Sequence, residues 1–588
     1  MKRFANIFAI FILSSLLAIA IASAQQSTGP DVLMRALQDE ITRSIENLKL
    51  PGLEKPYFVE HAVTETDSFN ASASFGALIR SNRSHSRFLQ TQVRVGNYDF
   101  DSGEFISPSA FSRSSFPVGL VIEDDYQALR HDIWLATDAA YKSAAEQLER
   151  KRAYVNNRVE EEELPDFSRE EPVTMIAARQ QMQLDQARWE KQLREWSAIF
   201  RQYPEIQESS ITLLVQLEHR YLVNSEGTKT RFPEMFVTLE ARAATQAADG
   251  MRLRNSTPFH AHSLEALPPA AEVANAIRRL AEELTGLRKA PALTETYLGP
   301  VLLTGQASAE MFAQVLAPQF SGYRPPLSEQ QLSAISSGRS EFADRLNRRV
   351  LPAFMSVFDD PAQTSAGNQI LLGAYQVDEQ GVKAQRVSLI EQGVLKTLLM
   401  SRRPRKDMLR SNGHGRGGGA QIGNLFIQSS EGKSEPELKE ELIKICKAQN
   451  MPFGIWIKKL DRPGPSVGIG MDGEMMMMMG GGGMRRDGTS TPLLVYKVYV
   501  ADGREELIRG VTSGEFSVRS LRQIIAAGRD SFVHNRLASG GGSPLSFSIG
   551  NVPTSIIAPA VLVEEMELRK PSGAQQKPAL MTHPYFNK

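Results

Sequence analysis

The chain has one cysteine. Cys446 cannot form an internal disulfide, so 588 residues must hold together through a buried core. Nor does either charge dominate. Lys and Arg number 67, Asp and Glu also 67, and the formal net charge is zero. That excludes a whole-chain basic footprint for nucleic acid. Beyond residue 24 no apolar run approaches the roughly 20 residues of a membrane-spanning helix. Histidine is sparse too: His61, His85, His131, His219, His260, His262, His414, His534 and His583. None is followed by Glu, and no two stand five positions apart.

What is present begins with the first 24 residues. Lys2 and Arg3 precede an apolar stretch over 4–21, and Ala22-Ser23-Ala24 fits a small-residue cleavage site. The pattern is that of a secretory signal peptide, so the expected mature chain is exported to the periplasm or beyond. The whole chain is 41% hydrophobic and 23% charged, ordinary for globular domains.

Apolar spacing predicts helices over 31–48, 125–150, 270–288 and the segment around Cys446, whose thiol is expected to pack as a small hydrophobe. Alternating runs over 56–98 and 211–245 predict strands, the second pair turning at Asn224-Ser225-Glu226-Gly227. Residues 151–200 are charged, then read as a helix with Leu184, Ala187, Leu193, Trp196 and Ile199 as its stripe, and are expected to be a helical insertion. Residues 250–269 read as loop, with His260 and His262 a surface pair. Residues 410–423 read as a flexible glycine loop with a solvated His414. The basic run 402–406 reads as a solvated face, and the Met/Gly tract 474–484 as a mobile connection.

Residues 373–404 read GAYQVDEQGVKAQRVSLIEQGVLKTLLMSRRP. This resembles the signature of the TldD/PmbA family, peptidase family U62, through Asp378, Glu379, Gly381, Gln385, Arg386, Leu389, Ile390, Glu391, Gly393, Val394 and Leu395. Phe358-Asp359-Asp360-Pro361 resembles the acidic element before it, and Gly423-Asn424-Leu425-Phe426-Ile427 the strand after it. The closing SIIAPAVLVEE and the earlier NSEG hairpin also resemble family elements. The resemblance spans about 30–570 and is most specific in the second half. It implies an α+β protein of two lobes: a mixed N-terminal lobe over 25–290, a β-rich lobe over 291–570, and a tail over 571–588.

The resemblance also implies a zinc peptidase that cuts unfolded peptides in an enclosed cavity, using an HExxxH helix and a C-terminal Cys. Three protein ligands would leave zinc an open position for a water of pKa near 7. The helix of that motif follows the strand-like PVLLTG, which places its functional positions at Ala313, Gln314 and Pro318. None can act as an imidazole ligand or a carboxylate base, and 536–551 has no Cys. No catalytic residue and no metal site are therefore expected in this chain. Asp378, Glu379, Gly381, Arg386, Glu391, Gly393 and Asn424 are the positions that resemble the family signature, and the resemblance implies that Asp378, Glu379 and Glu391 are scaffold rather than a carboxylate cluster. The resemblance implies a non-catalytic subunit paired with an HExxxH-bearing, TldD-like partner that alone holds zinc, acting on unfolded peptides and not on nucleic acid. The alternatives are an active metallopeptidase with other ligands, and a stand-alone peptide-binding envelope protein. The family's gyrase label is not carried over, because an exported neutral protein has no access to gyrase.

Overall fold

The structure is a computed structural model describing residues 31–106, 117–156, 164–328, 340–461, 491–514, 516–538 and 552–571, with 578–579, 581 and 584 near the C-terminus. The expected signal peptide and the 474–484 tract lie outside the described residues.

Alternation of apolar and polar residues builds the N-terminal lobe. Strands β1 (Pro56–Ser74) and β2 (Ala77–Val95) form a long antiparallel hairpin. Strands β4 (Glu208–Asn224) and β5 (Lys229–Gln246) form a second, turning at NSEG. β1 and β4 pair along their length, and short flanking strands complete a seven-stranded sheet. Among the helices that cover it are α1 (Val32–Asn47), α2 (Tyr126–Val155) and α4 (Ala270–Lys289). α1 and α2 start where Asp31 and Asp125 accept a backbone N–H from Met34 and Ala128. Leu33, Leu37 and Ile41 of α1 pack with Leu129 and Ile133 of α2 over Val59 and Val63 of β1.

Two segments depart from the expectations here. The region over 174–185 is extended, not helical. β3 (Thr174–Ile176) pairs in parallel with Lys229–Arg231, Gln180 N–H donates to His219 Nε2 (3.0 Å), and Arg231 donates to the Ala177 carbonyl (2.7 Å). The sheet edge satisfies this backbone, so the helix α3 (Gln186–Ala198) begins only where Asp185 caps it. Leu193, Trp196 and Ile199 are then buried as the stripe requires. The expected loop over 250–269 contains β6 (Arg252–Ala261), paired along β5. Its inward positions include a buried Asn255, held by Glu283 of α4 (2.6 Å), so polarity hides the strand pattern. His260 lies on β6 against the Thr238 hydroxyl (3.1 Å), and His262 is exposed just beyond.

The C-terminal lobe is a twelve-stranded mixed sheet. At its centre β7 (Tyr297–Leu303) lies between β15 (Val552–Arg569) and β11 (Phe453–Asp461). On one side follow β10 (Asn424–Ser429), β8 (Met355–Asp359) and β9 (Val387–Glu391). On the other lie β12 (Thr491–Tyr499) and β13 (Glu505–Ile508), while β14 (Ile524–Ala538) pairs with β15. The helix α5 (Gln306–Val315) covers one face, and α6 (Glu435–Ala448), with a Ser434–Glu437 capping box, covers the other. Cys446 is buried beside Leu438, Leu442 and Trp456, and burial pushes its thiol up to about 11, so it packs as a hydrophobe.

The lobes meet on two surfaces. Leu493 and Leu494 of β12 join the apolar cluster of the N-terminal sheet and α4. On the second surface Arg402 and Arg403 of the basic run expected to be solvated are buried, while Arg405 is half-buried and Lys406 exposed. Arg402 is 1% exposed, stacks over Phe58 and Phe167 (5.2 and 4.0 Å), and pairs with Glu226 of the NSEG turn at 2.7 Å. Its guanidinium also donates to the Ser168 carbonyl at 2.6 Å. Arg403 pairs with Glu104 and donates to the Pro325 carbonyl. Gly381 approaches the same hairpin with φ +78. A Cβ there would sit 2.9 Å from Thr228 Cγ2 and 3.0 Å from a Leu222 methyl.

A buried cation deprived of its partner is costly. Glu226→Leu is expected to lower unfolding stability by about 3–5 kcal/mol. The double variant Glu226→Leu/Arg402→Met is expected to lose much less than the sum of the single changes, as read by denaturant titration. Gly381→Ala combines a strained backbone with the hairpin contact and is expected to cost about 1–2 kcal/mol in the same measurement.

Candidate functional site

β7 is buried on both faces, as its continuous Val301-Leu302-Leu303 run requires. The chain leaves its end at Thr304, turns through Gly305 and enters α5. Residues 307–313 of α5 are buried against β15, β11 and β14. Ala313 offers only a methyl group to this interior. Gln314 Nε2 donates to Glu310 Oε1 at 2.7 Å. Pro318 lies past the helix, in the turn Ala317–Phe320. The three positions that resemble the motif therefore do not share one helix, since α5 ends at Val315.

Beside them is a pair that sequence reading missed. Glu310, fully buried on α5, holds its Oε2 2.6 Å from Nε2 of His534 on β14. Glu310 was legible only as the residue one turn before Gln314. His534 comes from 224 positions away, which no local spacing can show. The carboxylate is committed on both oxygens, to an imidazole and to an amide. Two donors on one tetrahedral zinc stand about 3.3 Å apart at ligand bonds of about 2.0–2.1 Å, so this is hydrogen-bond geometry. Among the described residues no three or more His, Cys, Asp or Glu side chains gather as a metal site. The described residues around α5 do not fit zinc.

The second place is a cavity of about 900 Å³ between the lobes. Its floor is one face of the N-terminal sheet, including Glu60, Gln92, Arg94, Arg220 and Glu234. Its walls come from the signature turn and the glycine-rich segment, including Tyr375, Asp378, Glu379 and Arg416.

Asp378 closes the signature turn. It accepts N–H bonds from Gln380, Val382 and Gly415 at 3.0, 2.9 and 2.7 Å. Burial pushes its carboxyl up to about 6 against those three donors. Glu379 accepts from Gly417 N–H (2.8 Å) and lies 3.8 Å from Arg220, a link between lobes. Glu391 is elsewhere, exposed at the end of β9 and held by the Ser388 hydroxyl. The three carboxylates therefore form no single cluster. Gly393 takes φ +78 where a Cβ would meet the Leu351 carbonyl at 2.2 Å. Arg386 stacks over Phe358 at 4.1 Å. Asn424, fully buried, donates to the Asp360 and Gln363 carbonyls.

The glycine-rich segment is ordered rather than a flexible loop. Gly415–Arg416 pairs with Gly419–Ala420, and His414, expected to be solvated, is fully buried. Its Nε2 lies 3.0 Å from the buried Asp359, which also accepts Gly423 N–H. Its Nδ1 faces the Asn412 carbonyl at 3.0 Å. Arg416 stacks over Tyr375 and donates to the carbonyls of Ile422 and Pro553. The segment's polar groups are satisfied within the fold, which is why it can be buried.

Residues 294–570 match the PmbA/TldA metallopeptidase C-terminal domain. A 138-residue stretch is 28% identical to a metalloprotease of Methanocaldococcus jannaschii, covering 22% of this chain and 30% of that relative's length. The chain thus matches less than a third of that relative. In three dimensions it is similar to a candidate modulator of DNA gyrase from Thermotoga maritima, with TM-score 0.56, 17% identity, and coverage of 91% of this chain and 99% of the other. It is similar to TldE from Thermococcus kodakarensis, with TM-score 0.53, 13% identity, and coverage of 91% and 100%. A candidate modulator of DNA gyrase from Bacteroides thetaiotaomicron gives TM-score 0.55, 10% identity, and coverage of 91% and 98%. At such identities the three-dimensional likeness is one of fold. Residues 294–570 therefore belong to the TldD/PmbA family through its C-terminal domain, and over most of its length the chain shares the α+β fold of these structures.

Proposed function

We propose that this chain is the non-catalytic subunit of an exported, heterodimeric metallopeptidase that degrades unfolded peptides. A partner of the same family, bearing HExxxH, supplies the zinc and the general base. This chain supplies half of the chamber wall. The observation that carries the reading is at α5. A methyl group, an amide and a proline occupy the three positions that resemble the motif, and the neighbouring Glu310 and His534 satisfy each other. A peptidase water needs a Lewis acid to ionise near neutral pH and a carboxylate free to take its proton. Glu310 is hydrogen-bonded on both oxygens and is not free in that sense. The retained inter-lobe contacts support a scaffold role. Export rests on the Lys2-Arg3, apolar and Ala22-Ser23-Ala24 pattern. Among the described residues no helix is long and apolar enough to cross a membrane.

The test is co-expression of the mature chain with an HExxxH-bearing family member from the same genome. The two are expected to co-purify, with chelator-sensitive cleavage of unfolded peptide in the complex. Two folded proteins that never co-purify would overturn the pairing. Within the complex, Glu→Gln in the partner's HExxxH is expected to abolish cleavage. Ala313→Gly and Pro318→Ala in this chain are expected to change its rate less than about twofold, since neither offers a ligand or base.

A further inference from the structure

Among the described residues, Glu60 is a carboxylate on the cavity floor that no cation pairs with. It lies on β1, opposite Gln92 of β2 and Asn224 of β4, is 9% exposed and lines the cavity. Among the described residues no ion pair reaches it. The arginines near it are committed elsewhere, Arg402 to Glu226 at 2.7 Å and Arg94 to Asp101 at 2.8 Å. The Asn224 side-chain amide, a neutral group, is the polar neighbour that steadies the carboxylate. Burial pushes the Glu60 carboxyl up to about 7, opposed by Arg402, Asn224 and Arg94 and reinforced by Glu226. A buried carboxylate without a cation paired to it is unusual, and one that faces a cavity has room for an external partner.

We propose that Glu60 is the anionic receptor for a primary ammonium group of a peptide held in the inter-lobe cavity. The inference rests on the peptide-handling reading above and deepens it by naming what the chamber wall grips. When the ammonium docks, any proton on Glu60 leaves to solvent, and carboxylate and ammonium form a charge-assisted pair in the cavity. The shared chemistry is a primary amine, from either a peptide amino terminus or a lysine side chain.

The experiment uses the full mature chain and an unstructured, C-terminally labelled peptide containing one lysine, with binding read by fluorescence anisotropy. Three further versions are compared: N-acetylated, lysine replaced by norleucine, and both. Removing the amine that docks is expected to weaken binding about tenfold, the scale of one charge-assisted pair. Glu60→Gln is expected to erase that difference. Wild-type affinity is expected to rise with pH through about 7 as Glu60 loses its proton. It falls again above about 8 for an amino terminus but holds to about 10 for lysine. A fold control accompanies this. The folded state holds the Glu60 proton more tightly than the unfolded chain, so wild-type stability falls as pH rises between about 4.5 and 7. Glu60→Gln is therefore expected to melt higher than wild type at pH 8, with the gap closing toward pH 5. Equal binding of all four peptides would overturn the ammonium site while leaving peptide capture standing. Failure to bind any peptide, with the heterodimer still forming, would overturn the site while leaving the pairing standing.

Discussion

The buried guanidinium of Arg402 ties the two lobes together. It is stacked over two N-terminal aromatic rings, paired with Glu226 and hydrogen-bonded to the Ser168 carbonyl. A charge so deeply buried is tolerated only while its partners are in place. The relation of the large sheet to the N-terminal sheet depends on that turn staying where it is, and so does the cavity enclosed between them. Gly381 and the Glu379–Arg220 contact lie on the same seam. Signature residues from the two halves of the sequence are therefore residues that touch. They maintain the chamber, which is a structural task separate from any chemistry done in it.

The chemistry is set at α5. The fold places this helix against β15, β11 and β14 and holds it with groups such as the Ser308 hydroxyl, which donates to the Pro559 carbonyl. What it presents is a methyl, an amide engaged by Glu310, and a proline beyond its end. The Glu310–His534 pair fixes α5 to β14 and closes the polar groups on one another. A hydrogen-bonded dyad of this kind stabilises a buried corner without offering an open coordination position.

Much of the fold was legible because helix and strand periodicities are local. α1, α2, α4 and both hairpins follow their apolar spacing, and Asp31 and Asp125 mark two helix starts. The misreadings share one cause, which is that partners distant in sequence satisfy polar groups, backbone or side chain. Residues 174–185 read as helix until the sheet edge claims their backbone. Asn255 disguises β6 because Glu283 satisfies it from another element. His414, Arg402 and Arg403 read as solvated because the residues that neutralise them, Asp359, Glu226 and Glu104, are 55, 176 and 299 positions away. At the site, the loss of ligands at 313, 314 and 318 needed only residue identities. The Glu310–His534 pair and the exposed face of Glu60 needed the register of the sheets.

Metal analysis of the purified chain, alone and as the folded full-length mature protein, tests the account most directly. Equilibrated with zinc and then freed of loosely bound ion, it is expected to retain far less than one zinc per chain and to leave an unfolded peptide uncut. Stoichiometric, tightly held zinc that disappears in Glu310→Gln or His534→Ala, with chelator-sensitive cleavage, would contradict it.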